Sequence, residues 1–203
     1  GIHPNSSKGF NAETLEKLRL LTEEGSILAI GEIGLDYFRD RVSPADQRQA
    51  FEAQLTLAAE TSLPVCIHDR EATDDLLAIL KDWWAGLPKS SPLKASPGVM
   101  HAWSESYDRS LPFLEMGFVF GIGGPVSFKN APDRHALVRE LPLENIVLET
   151  DAPFLTPLPF RGRRNEPAYI PYIAEAIADL KGMNLAELGQ ATTGTARKLF
   201  RIP

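Results

Sequence analysis

Cys66 is the only thiol in the 203 residues, so neither a disulfide within the chain nor a cysteine-rich zinc module can form. That scarcity fits a reducing cytoplasm, the expected location. Long apolar runs are also missing: nothing reaches the roughly 18 residues that signal a membrane-spanning helix. The opening GIHPNSSKGF has neither the charged nor the apolar segment of an export signal. Positive charge is in short supply, with 21 Lys and Arg against 27 Asp and Glu for a net charge of −6. A broad basic surface for gripping duplex nucleic acid is therefore disfavoured, although a few focused cations suffice for a short strand. No low-complexity tract or internal repeat interrupts the chain; the Pro-, Ser- and Lys-rich stretch 86–97 reads as a surface loop. One domain over residues 1–203 is expected, with no membrane and no stable protein partner.

What is present is a succession of short apolar runs rich in Val and Ile. Residues 27–35, 63–68, 98–103, 117–124 and 145–151 are apolar almost throughout, as strands buried on both faces are. Helical patterns lie between them at 44–61, 73–85, 106–116 and 132–141, with others at 12–24, 168–181 and 185–199. Ser43 followed by Pro44 marks one helix start, and Asn184 with Glu187 another. Strand and helix alternate, which predicts an α/β fold with a parallel sheet. The strand exits Glu32, His68, His101 and Asp151 are 36, 33 and 50 residues apart. A closed barrel of eight βα units takes about 250 residues, roughly 31 per unit, so these intervals suit a TIM-type (β/α) barrel. Only about five of eight strands are legible, and Gly-Ile-His-Pro reads as the exit of a further strand upstream, so the barrel is expected to be incomplete at its start.

Ionisable side chains that end apolar strands cost desolvation energy unless a ligand or partner offsets it. In a parallel barrel these ends converge on one face, which would gather Glu32, His68, His101 and Asp151 at one mouth. Two imidazoles and two carboxylates without thiolate suit Zn²⁺, Mn²⁺ or Mg²⁺. Taken singly, each is more readily a hydrogen-bonded core histidine or a turn cap; four on successive strands favour a metal site. His135, mid-helix among charged neighbours, reads as part of a solvated face. The segment 161–167, RGRRNEP, sets Arg161, Arg163 and Arg164 in a loop after the Asp151 strand, where guanidinium forks suit phosphate, and Lys129 and Arg70 could add to it. The glycines of GIGG at 121–124 match no nucleotide-binding fingerprint.

Seven segments, GIHP, AIGEIGLDYF, QRQAFEAQLTLAAETSLPVCIHDREA, HAWSES, GIGGPVSFKN, LETDAPFLTPLPFRGRRNEP and TTGTARKLF, occur in the order seen in the TatD family of amidohydrolase-like metal hydrolases. The resemblance spans essentially the whole chain. It implies a deoxyribonuclease using up to two divalent metal ions, with DNA as substrate and exonuclease action on single-stranded ends. Glu32 would be a bridging catalytic carboxylate, His68 and His101 metal ligands, and Asp151 a metal ligand beside the hydrolytic water. His3, Arg70, Arg164 and Asn165 would contact substrate, and Glu166 would hold the arginine loop. Three departures stand out. The chain contains no His-x-His pair, Glu105 occupies a position usually filled by Gly, and Thr195 replaces a usual Asn. Competing readings are a non-catalytic barrel fragment and a metal-dependent hydrolase of another ester or amide.

Overall fold

The structure, a computed structural model, describes all 203 residues. It divides into two compact units.

The first unit comprises Gly1–His101 with short returns at Glu115–Phe118 and Leu199–Arg201. It carries, in order, α1 (Ala12–Glu23), β1 (Ile30–Asp36), α2 (Pro44–Thr61), β2 (Val65–Arg70), α3 (Thr73–Gly86) and β3 (Gly98–Met100). Helix starts are set by side chains that satisfy otherwise unpaired backbone donors. Asn11 Oδ1 accepts from the Thr14 amide at 3.0 Å, and Ser43 Oγ accepts from that of Asp46 at 3.2 Å ahead of Pro44. The three strands pair in parallel, β1 with β2 and β2 with β3. Ile33, Leu35, Leu55, Leu57, Ile67, Leu76 and Leu80 are buried around them.

Two details of β1 aim the residues that follow. Its register against β2 shifts between Ile30 and Ile33, a bulge that re-aims the enclosed Glu32. Gly34 then pairs with His68 at a φ of 144°, and a Cβ there would fall 2.0 Å from the His68 carbonyl oxygen. Only glycine allows so close an approach.

The second unit comprises Ala102–Leu114, Val119–Lys198 and Ile202–Pro203. It holds most of α4 (Tyr107–Met116), then β4 (Val119–Ile122), α5 (Pro132–Glu140), β5 (Ile146–Leu148), α6 (Ile170–Lys181) and nearly all of α7 (Leu185–Phe200). β4 and β5 pair in parallel, Phe120 opposite Ile146 and Ile122 opposite Leu148. Trp103 packs against Phe113 and Phe120, with ring centroids 5.2 and 5.4 Å away, while its indole N–H donates to Ser110 Oγ at 2.8 Å. Thr195 keeps a structural bond: its hydroxyl, 3.1 Å from the Glu144 carbonyl, ties α7 to the segment before β5. Glu105 is exposed and lies 3.7 Å from Arg109 on α4.

The order of elements is the βα repeat expected of a TIM-type barrel, with five strands. Several ladders are shorter than the apolar runs that announced them. β3 and β5 are three residues each because the chain leaves the ladder in the left-handed region, at Ala102 (φ 47°) after β3 and at Asp151 (φ 56°) after β5. His135 corrects its reading as part of a solvated face. It is half-buried, and its Nε2 lies 3.0 Å from the Val126 carbonyl, to which it donates.

Candidate metal centre

The cluster grows from the C-terminal ends of β1 and β2. Because Gly34 pairs with His68 and Ile67 with Met100, the side chains of Glu32, His68 and His101 reach one place in the first unit. His101 continues the ladder by one residue, its amide donating to the Ile67 carbonyl at 2.9 Å. Glu32 Oε1 lies 2.7 Å from His68 Nδ1, 3.5 Å from His3 Nε2 and 3.8 Å from His101 Nε2. Burial alone would raise the Glu32 carboxyl. Hydrogen bonds from His3 and His68 and the charges of His101 and His68 outweigh it, holding Glu32 well below the usual carboxylate range.

His68 is faced by a second carboxylate. Its Nε2 lies 3.3 Å from Asp36 Oδ2, off the direction of a good hydrogen bond. Asp36 is only 1% exposed. Burial pushes its carboxyl up, but donors outweigh this and keep it below its ordinary range: Asn5 Nδ2 at 2.7 Å, the Arg39 amide at 2.9 Å, and His68. A neutral imidazole has one N–H for two ring nitrogens. His68 Nε2 is buried beside Asp36 without a hydrogen-bond partner, and a cation between Nδ1 and Glu32 would let Nε2 carry the ring's N–H toward Asp36. Glu32 and His68 therefore suit a divalent metal, with Asp36 as the outer carboxylate that holds the ring; His101 approaches Glu32 at 3.8 Å but stands outside the group that shares a common reach.

By distance His3 joins Glu32 and His68, the ligand atoms of all three lying within 4.8 Å of one another. Its protonation argues for another part. The Asn5 amide donates to His3 Nδ1 at 3.0 Å, which requires a lone pair there and leaves the proton on Nε2. His3 thus presents an N–H toward Glu32.

Helix α2 holds this corner together through two buried amides seven residues apart. Gln47 Oε1 accepts from the Asp36 amide at 2.8 Å while its Nε2 donates to the Asp36 carbonyl at 2.9 Å. Gln54 does the same for Ile2, accepting at 2.6 Å and donating at 3.1 Å. The two glutamines fix the backbone beside His3 and below His68. At the end of β2, the Arg70 guanidinium lies 3.9 Å over the ring of Phe38.

Asp151, Arg164 and Asn165 belong to the second unit. Asp151 is half-buried at the exit of β5, and its carbonyl accepts from the Phe154 amide at 2.8 Å. Arg164 is exposed. Asn165, expected to touch substrate, is 1% exposed and engaged within the chain. Its Nδ2 donates to the carbonyls of Thr150 at 2.7 Å and Phe154 at 2.6 Å, and its Oδ1 accepts from the Glu166 amide at 2.9 Å. The loop-holding part assigned to Glu166 is thus filled by Asn165.

Asp36, Asn5, Gln47, Gln54 and Glu149 were not singled out from the sequence. Glu149 Oε1 accepts from the Ala102 amide at 2.7 Å. A Cβ at Gly121 would lie 2.0 Å from Glu149 Oε2, so the first glycine of GIGG makes room for this carboxylate. A signal was available for both carboxylates, since Asp36 directly follows the apolar stretch 33–35 and Glu149 directly follows 146–148.

The family model described as TatD related DNase matches residues 1–201. The chain is 43% identical over its whole length to the uncharacterized metal-dependent hydrolase YabD of Bacillus subtilis (strain 168), spanning 76% of that protein. It is 37% identical, again over its whole length, to the 3'-5' ssDNA/RNA exonuclease TatD of Erwinia billingiae (strain Eb661), spanning 77% of it. The crystal structure of YJJV, a TatD homolog from Escherichia coli k12, superimposes with a TM-score of 0.88 at 30% identity, over 99% of this chain and 75% of that one. The chain is a member of the TatD family of metal-dependent hydrolases.

Proposed function

We propose that this chain hydrolyses phosphodiester bonds of single-stranded DNA from an end, using a divalent metal held by Glu32, His68 and His101, and Asp151 as a catalytic carboxylate. The observation that carries the reading is one carboxylate, Glu32, met by three imidazoles within 3.8 Å. Bound there, a divalent cation would neutralise nonbridging phosphate oxygens and acidify a water.

The chain's own residues have separable tasks. Asp151 accepts the proton of the attacking water as general base. The His3 Nε2 proton, fixed by the Asn5 amide at Nδ1 and directed at Glu32, would turn to a phosphate oxygen once a cation holds that carboxylate. Arg70, stacked on Phe38, and Arg164, on the loop fastened by Asn165, bind phosphates of the strand. Water adds its oxygen to phosphorus, the bond from phosphorus to the sugar oxygen breaks, and that oxygen leaves as a hydroxyl after taking up a proton from solvent. The exonuclease name of the Erwinia billingiae relative supports a single-stranded end as substrate and a 3'-to-5' direction.

The test is a 5'-labelled single-stranded oligonucleotide incubated with the protein and Mg²⁺ or Mn²⁺. Stepwise shortening that stops with chelator and is lost in Asp151→Ala is expected. An intact strand under every metal condition overturns the reading.

A further inference from the structure

We propose that Phe154 is a stacking platform for one base of a single-stranded nucleic acid whose backbone is drawn in by the guanidinium groups of Arg163 and Arg164. The inference rests on the nuclease reading and names how the strand is gripped. Phe154 is 66% exposed and its neighbour Leu155 42% exposed. A lone exposed apolar side chain is ordinary, but this one sits on a backbone that cannot retract it. The Phe154 amide donates to the Asp151 carbonyl at 2.8 Å, and its carbonyl accepts from Asn165 Nδ2 at 2.6 Å. The Asn165 amide donates to the Pro153 carbonyl at 3.0 Å. Leu155 is held at a φ of 54°, its carbonyl oxygen 2.0 Å from where a Cβ on Gly124 would lie. A buried asparagine and a glycine therefore fix the backbone that carries an exposed aromatic ring three residues beyond Asp151.

The surrounding charge selects the occupant. The hydrogen bond between Asn165 and Pro153 brings the backbone of Arg164 alongside that of Phe154. Arg161 is spent on the ring of Phe128, 4.2 Å below it, whereas Arg163 and Arg164 are exposed and form no ion pair. An exposed aromatic ring on a segment whose backbone lies alongside that of exposed, unpaired arginines matches a nucleotide, flat base on the ring and phosphate on the arginines. Single-strand binders combine these two elements, and stacking tolerates any base.

Fluorescence titration of a single-stranded oligonucleotide containing 2-aminopurine, in chelator so that the strand stays intact, tests this. The unsubstituted chain should quench the probe. Phe154→Ala should lose the quench and bind roughly 10-fold more weakly, and Phe154→Trp should restore both. Equal affinity and equal quench in Phe154→Ala overturn the platform while leaving the nuclease reading intact. Absence of any salt-dependent binding by the unsubstituted chain also overturns the platform, while the nuclease reading is decided separately by the cleavage assay with metal.

Discussion

The Asp36 carboxylate stands 3.3 Å from Nε2 of His68, whose other ring nitrogen lies 2.7 Å from Glu32. A ring held between two carboxylates, one of them buried, is oriented before any ligand arrives. Asp36→Asn keeps the shape and removes the charge. It should weaken Mn²⁺ or Zn²⁺ binding by about 10- to 100-fold, as loss of an outer carboxylate does. Unchanged affinity in a calorimetric titration would remove Asp36 from the account.

Glu149 and Gly121 should behave as one unit. Glu149→Ala strips the Ala102 amide of its acceptor, a loss of about 1–3 kcal/mol for a donor away from water. Gly121→Ala should produce a similar loss by placing a methyl where the Glu149 carboxylate lies. The double variant should cost clearly less than the two losses added, because each removes the same contact. Urea denaturation of the four proteins gives the coupling, and additivity would contradict it.

The course of the chain was legible because strands buried on both faces must be apolar and helices carry their own start signals. The pattern at 44–61 matches α2, Pro44–Thr61, where Ser43 and Pro44 fix the start. Glu32, His68 and His101 stand out for a related reason, as ionisable residues set in otherwise apolar runs. The partners that orient them were harder to see. Asn5, Gln47 and Gln54 are ordinary polar residues in the sequence, and their importance depends on which backbone lies opposite, a matter of packing between α2 and segments up to 52 residues away. Asn165 stands beside arginines in the sequence, which suggests a substrate contact; that it is buried under its own loop is not encoded in any spacing.

Asn165 makes a prediction of opposite chemistry in two similar variants. Asn165→Ala leaves the Thr150 and Phe154 carbonyls without their donor, at a cost of roughly 2–4 kcal/mol. Asn165→Asp should be worse, because it turns a carboxylate oxygen toward those carbonyls. Thermal melts compare them directly, and an Asp variant more stable than the Ala variant would refute the assignment of Nδ2 as donor.

Tyr37 supplies a pH signature. Burial, then the hydrogen bond to Asp75 at 2.8 Å, push its hydroxyl up to about 12 from the ordinary 10.0. Since folding favours the neutral phenol, this contribution to stability is complete below pH 10.0 and is lost as pH rises toward about 12. Near-ultraviolet absorbance should show one of the four tyrosines ionising late, and Asp75→Asn should bring it down. Titration of all four together near their ordinary value would count against the contact.

The claim on which the rest depends is that Glu32, His68 and His101 hold a divalent cation. Equilibrium titration of the purified chain with Mn²⁺, alongside Glu32→Gln and His68→Ala, measures it directly. Saturable binding should be seen in the unsubstituted chain, with affinity falling by about 100-fold or more in both variants, since removing a ligand costs at least as much as removing its outer partner. Equal binding by all three proteins would contradict it.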